Sequence, residues 1–139
     1  LPYLNRLKAI CLLVQYEYAQ RLVSETNKKS YGSLSIYTQL RSQVQLDWIV
    51  PKDLFRPVPK IDSAIVSFRP LSQPYDDEVL KKVEKLARIV FSNRRKKLSN
   101  SLKPLLKKEM ISGAEFDLNK RPEDLTPEDF VRLAKELFV

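Results

Sequence analysis

Apolar positions along this chain fall into two rhythms, and the change between them divides it. Residues 8–15, KAICLLVQ, form a short unbroken apolar run, the pattern of a strand buried on both faces. Residues 16–26 carry Ala19, Leu22 and Val23 at helical spacing, and residues 33–43 carry Leu34, Ile36, Tyr37 and Leu40 in the same way. Val44, Leu46, Trp48 and Val50 then alternate with Gln45, Asp47 and Ile49, which predicts a strand with one more polar face. A further strand is predicted over residues 63–68, close enough to pair with its predecessor. Strand, helix, helix and two successive strands imply an α/β sheet ending in an antiparallel pair.

From residue 76 onward the rhythm is helical throughout. Val79, Leu80, Val83, Leu86, Ala87, Val90 and Phe91 follow the acidic start Asp76-Asp77, after a hinge over residues 70–74. A shorter helix is predicted over residues 99–106, with Pro104 disturbing it or standing near its start. In the last helix Thr126 is the N-cap, Pro127 the first helical residue and Asp129 the third, with Leu125 and Phe130 as a hydrophobic staple. The expected division is a sheet-bearing part over residues 1–72 and a small all-α domain over residues 73–139.

Between the last two predicted strands lies PKDLFRPVPKIDS, residues 51–63, with three prolines around Phe55 and with Lys52, Arg56 and Lys60. Proline fixes φ and removes a backbone donor, so this segment is a stiff extended loop. Phe55 either plugs the core beneath the loop or is held out for a ligand.

Composition narrows the chemistry. The chain has 139 residues, 43% of them hydrophobic, enough for a real core. No apolar run reaches the length of a membrane-spanning helix, and no basic-then-apolar leader opens the chain. Cys11 is the only cysteine, which fits a reducing compartment, and there is no histidine. That removes the commonest general base and metal ligand, so no metal is expected. The net charge of +8 suggests a polyanionic partner. Its focus is NRRKKLSNSLKPLLKK, residues 93–108, with seven Lys or Arg and no acid. Such runs are usually solvated helix faces. Here no carboxylate balances Arg94, Arg95, Lys96 and Lys97, whereas phosphates would, and Asn93, Ser99, Asn100 and Ser101 add neutral donors. Nucleic acid is favoured over a membrane surface or an acidic protein.

Several stretches, in order, resemble the KsgA-type rRNA adenine dimethyltransferases. VQYEYAQRLV and YGSLSIYTQ are similar to the family's VQKEVAERL and YGRLSV; VPKDLFRPVPKIDSAIVSFRP to its VPP..F.PPPKVDSAVV; FSNRRKKLSNSLK to its F..RRKTLRNSLK; and RPEDLTPEDFVRLAKEL to its closing helix. Leu1-Pro2-Tyr3 resembles the end of the family's Asn-Leu-Pro-Tyr motif, although residues 4–7 are too few for the helix that follows it there. The resemblance implies the C-terminal part of a Rossmann-like methyltransferase sheet followed by a helical RNA-binding domain. It implies methyl transfer from S-adenosylmethionine to the exocyclic amine of adenines in small-subunit rRNA, by a monomeric cytoplasmic enzyme acting on the pre-ribosomal small subunit. Tyr3 and Phe55 would stack the flipped adenine, and backbone near Leu1 and Pro2 would hold its amine. Arg94, Arg95, Lys96, Lys97, Asn100 and Lys103 would grip phosphates. The family's donor-binding glycine turn has no counterpart, since Gly32 and Gly113 lie elsewhere. The sequence therefore reads as the C-terminal half of a larger enzyme, inactive alone. The alternatives are a non-catalytic RNA-binding or ribosome-assembly module on the same framework and, less favoured, a basic DNA-binding protein.

Overall fold

The computed structural model describes residues 6–106 and 117–138. It is a mixed α/β structure. A three-stranded sheet has the order β1-β3-β2, with β1 Ile10–Gln15, β2 Ser42–Val50 and β3 Ser63–Pro70. The expected antiparallel pair is β2 with β3; β1 is also antiparallel to β3, so β1 and β2 run the same way on either side of it. The helices are α1 Tyr16–Val23, α2 Ser33–Gln39, α3 Asp77–Phe91, α4 Leu98–Ser101 and α5 Pro127–Leu137.

Helix ends fall where side chains compete for the backbone. α1 was expected to reach residue 26 but stops at Val23, where the Gln39 amide donates to the Leu22 and Ser24 carbonyls at 3.3 and 2.8 Å. α2 was expected to reach residue 43 but ends at Gln39. There the Ser42 hydroxyl and the Arg41 amide both donate to the Thr38 carbonyl, at 3.0 and 3.1 Å, and Ser42 already belongs to β2. α4 is four residues rather than the predicted helix over 99–106: it is capped at Leu102, and Pro104 has no amide hydrogen with which to continue the ladder. α5 forms as read: the Asp129 amide donates to the Thr126 hydroxyl and the Thr126 amide to the Asp129 carboxylate, both at 3.1 Å.

Two strand expectations are corrected. β1 is not buried on both faces: Cys11 and Leu13, on the face away from Ile10 and Val14, are exposed, Leu13 to 54%, and Leu12 is 45% exposed. Its register nonetheless gives Ile10 and Val14 to the helix-covered face. In β2 the simple alternation breaks at a bulge between Leu46 and Trp48. One extra residue reverses the facing of everything after it. Ile49 thus lies opposite buried Ala64, while Trp48, opposite Ile65, is 67% exposed.

Two apolar clusters result. Ala64, Val66 and Phe68 of β3 pack on Ala19 and Leu22 of α1. The larger cluster joins Leu80, Val83, Leu86, Ala87 and Val90 of α3 to Phe130, Val131, Leu133 and Ala134 of α5. It also takes in Tyr31, Ile36 and Leu40 from before β2. The helical part is thus built onto the α1–α2 segment as well as following the sheet in sequence.

Candidate nucleic-acid interface

The proline loop is held by its own backbone. A 3-10 turn at Lys52–Leu54 is closed by the Leu54 amide on the Pro51 carbonyl and the Phe55 amide on the Lys52 carbonyl, both at 3.1 Å. The Lys52 amide donates to the Asp62 carboxylate at 2.9 Å, tying the start of the loop to its end. The Arg56 guanidinium donates to the carbonyls of Asp53 and Phe55 at 2.8 and 2.9 Å. Phe55 is half-buried and its neighbour Leu54 is 72% exposed. Phe55 is therefore neither in the two apolar clusters nor fully solvated.

Beside the loop, at the start of α1, a cavity of about 290 Å³ is lined by Tyr16, Glu17, Lys52, Lys60, Ile61 and Asp62. The Tyr16 amide donates to the Asp62 carbonyl at 3.0 Å, which holds the loop's end against that helix. The two lysines were visible in the sequence as cations of the proline loop; what was not visible is that the hairpin brings them to the mouth of one hollow.

The basic segment follows α3 as a turn and then α4. Leu98 and Leu102 are fully buried and pin it to the helical core. The Leu98 and Ser99 amides donate to the carbonyls of Lys120 and Leu118, both at 2.9 Å. With the apolar residues inward, Arg95, Lys96, Lys97, Asn100 and Lys103 are exposed. None of those four cations forms an ion pair among the described residues. Arg94 is different: its guanidinium meets the Glu123 carboxylate at 3.3 Å and the Lys28 carbonyl at 2.9 Å. Leu1, Pro2 and Tyr3 lie outside the described residues, so only the Phe55 side of the expected base site is visible.

No described group of three or more His, Cys, Asp or Glu is arranged to hold a metal. No described helix is long and apolar enough to cross a membrane. Gly32 caps α2 at φ −171°, an extended conformation open to any residue, and it follows a loop rather than a strand. Nothing within 4 Å would meet a Cβ there. Gly32 is thus not part of a glycine turn between a strand and a helix.

A wholly antiparallel three-stranded sheet thus carries an aromatic ring on a braced proline loop, beside a helical part whose basic turn leaves Arg95, Lys96, Lys97 and Lys103 without ion pairs among the described residues. The family of ribosomal RNA adenine dimethylases matches residues 3–138, and the chain belongs to it. It is 37% identical over 145 residues to ribosomal RNA small subunit methyltransferase A of Wolbachia pipientis, covering 100% of this chain and 54% of that protein. With the Pseudomonas aeruginosa protein of the same name the identity is 40% over 126 residues, covering 90% and 47%. The chain thus spans about half the length of the curated relatives it matches. In fold it is similar to a dimethyladenosine transferase from Plasmodium falciparum, with a TM-score of 0.73 and 23% identity over 96% of this chain and 60% of that one. The 23S rRNA methyltransferase ErmE gives a TM-score of 0.63 at 22% identity, over 94% and 55%.

Proposed function

We propose that this chain is the RNA-engaging half of a small-subunit rRNA adenine dimethyltransferase, a cytoplasmic enzyme of ribosome biogenesis that uses S-adenosylmethionine. The observation that carries the reading is Phe55: a half-buried ring on a loop braced by five hydrogen bonds of its own residues, outside both apolar clusters, in a chain of this family. A flipped base stacked on an aromatic ring gains roughly 1–3 kcal/mol, against an unstacking cost of a few kcal/mol. A loop already held in shape loses little entropy when the base arrives, so more of that gain is kept. Leu1, Pro2 and Tyr3 would complete the base site, with backbone oxygens holding the hydrogens of the adenine amine and Tyr3 on the other face of the ring.

In this reading residues 1–72 carry the base-handling surface and residues 73–139 the phosphate grip. Arg95, Lys96, Lys97 and Lys103 supply charge, and Asn100 a neutral donor, for backbone contacts that orient the RNA without reading its sequence. Lys52 and Lys60, which line the hollow beside the loop, would supply cations for a phosphate flanking the captured base. The methyl donor belongs to residues outside this chain, and the exposed edge and apolar surface of β1 (Leu12 and Leu13) suit continuation of the sheet into that part.

The test is to incubate the complete polypeptide with small-subunit rRNA and a methyl-labelled donor, then digest the RNA to nucleosides. Dimethyladenosine formed in a donor-dependent way supports the proposal. RNA binding with no methylated adenosine would sink it in favour of the non-catalytic ribosome-assembly module.

A further inference from the structure

Arg94 opens the basic run, yet its surroundings set it apart from the cations that follow. Its side chain is 34% exposed and that of Glu123 is 28% exposed. Nη2 donates to the Lys28 carbonyl at 2.9 Å and to Glu123 Oε2 at 3.3 Å, and Nε approaches the same oxygen at 3.4 Å. Lys28 lies in the loop between α1 and α2, Glu123 in the 3-10 turn Pro122–Asp124, and Arg94 in the turn after α3. Three segments remote in sequence therefore meet at one guanidinium.

The same junction is closed twice more. The Asn27 amide donates to the Glu123 carbonyl at 2.8 Å, from a residue held at φ 64°, the left-handed region that asparagine tolerates better than most. The Tyr31 hydroxyl, fully buried, donates to the Leu125 carbonyl at 2.6 Å. A guanidinium suits this place because its donors are fixed in a plane and reach two acceptors with little loss of freedom, whereas a lysine ammonium is a compact charge on a flexible stem. The Arg94 bonds engage Nε and Nη2, so a two-pronged grip on a phosphate would compete with them.

We infer that Arg94 is a positioning residue for the RNA methylation proposed above, not a phosphate contact. It locks the α1–α2 loop to the basic turn and so fixes the direction in which Arg95, Lys96 and Lys97 present RNA to the Phe55 loop. The inference rests on that functional reading, but the lock has a signature of its own.

The experiment compares Arg94→Lys, Arg94→Gln, Glu123→Gln and Arg95→Gln in the complete protein, with kcat, KM and the salt dependence of rRNA binding measured for each. Both Arg94 variants and Glu123→Gln are expected to lower kcat, roughly ten- to a hundredfold for a base presented out of line, with KM and the salt slope unchanged. Arg95→Gln is expected to raise KM and reduce the salt slope by about 0.7–0.9, the loss of one phosphate. Near-normal turnover of Arg94→Lys, with a reduced slope in Arg94→Gln, would make Arg94 a phosphate contact and overturn the inference. Hydrogen exchange of the Asn27 amide supplies the independent reading: faster in Arg94→Lys and Glu123→Gln if the lock exists, unchanged if it does not. If the unaltered protein methylates no rRNA, the functional reading is what fails, and the Asn27 amide still decides the lock.

Discussion

Phe55 and Phe130 each follow a proline-bearing turn, and they end in opposite settings. Pro127 occupies the first helical position of α5, so the periodicity of that helix carries Phe130 into the core. There it is fully buried, stacked on Phe91 with centroids 5.8 Å apart and planes 19° from parallel. Pro51, Pro57 and Pro59 permit neither helix nor central strand, so Phe55 stays on a loop braced by its own bonds and tied to α1 through the Asp62 carbonyl. Proline stiffens both places. In one the stiffness seats a side chain for the fold, and in the other it holds a ring half in solvent, where a ligand can use it.

The widest separation between the two rings is expected in stability. Phe130→Ala should cost about 3–5 kcal/mol of unfolding free energy, the range for truncating a buried aromatic. Phe55→Ala should cost about 1 kcal/mol or less, since few core contacts are lost. Denaturant unfolding of both variants measures the difference. Equal losses would return Phe55 to the core and remove the case for a ligand-facing ring.

Turnover should reverse the order. In the complete protein Phe55→Ala is expected to lower methyl transfer roughly five- to more than a hundredfold, the equivalent of 1–3 kcal/mol of base stacking, with RNA affinity nearly intact. Phe55→Trp keeps a stacking face and should recover most of the rate. A Trp variant as slow as the Ala variant would indicate packing at this position rather than stacking.

Between the two settings stands Tyr31, an aromatic residue of the α1–α2 loop that is buried in the helical core. Burial, and then the nearby carboxylates of Glu128 and Asp129, push its hydroxyl pKa well above the ordinary tyrosine value, so it remains a donor throughout the working pH range. Tyr31→Phe leaves the Leu125 carbonyl buried without this partner, and about 1–3 kcal/mol of stability should be lost. A neutral outcome would mean that water reaches Leu125 and that this junction is looser than the core around Phe130.

The sequence made the helical region legible because its signals are local. Helical spacing in α3 and the Thr126-Pro127-Asp129 cap each predict their element without reference to the rest of the chain. The β2–β3 hairpin was readable too, since two apolar runs flank a loop that cannot be regular. What escaped depended on partners remote in sequence. The bulge that turns Trp48 outward depends on how β2 pairs with β3, and the exposure of Leu12 and Leu13 depends on what packs over β1. Arg94 read as one of four equal cations because neither the Lys28 carbonyl nor Glu123 is near it in sequence. Its neighbours Arg95, Lys96 and Lys97 are exposed and, as their lack of local acids suggested, form no ion pair among the described residues.

The smallest effect tests the cap that seats Phe130. Burial alone would raise the Asp129 carboxyl pKa. Hydrogen bonds from Arg132 and from the amide and hydroxyl of Thr126 outweigh it and hold the group below its ordinary value of 3.8. A carboxylate whose pKa is lowered by folding adds stability above its unfolded-state pKa and loses it as pH falls through the folded-state value. Near neutral pH, Asp129→Asn should therefore cost about 0.3–1 kcal/mol, through the lost charge at the N-terminus of α5 and the weaker cap. Below 3.8 the two proteins should converge, because Asp129 itself is becoming neutral. Urea unfolding of both, repeated from neutral pH down to acid, measures this. A gap that stays constant across that range would mean that the carboxylate's charge contributes nothing, and that geometry alone turns Phe130 inward while Phe55 is left at the surface.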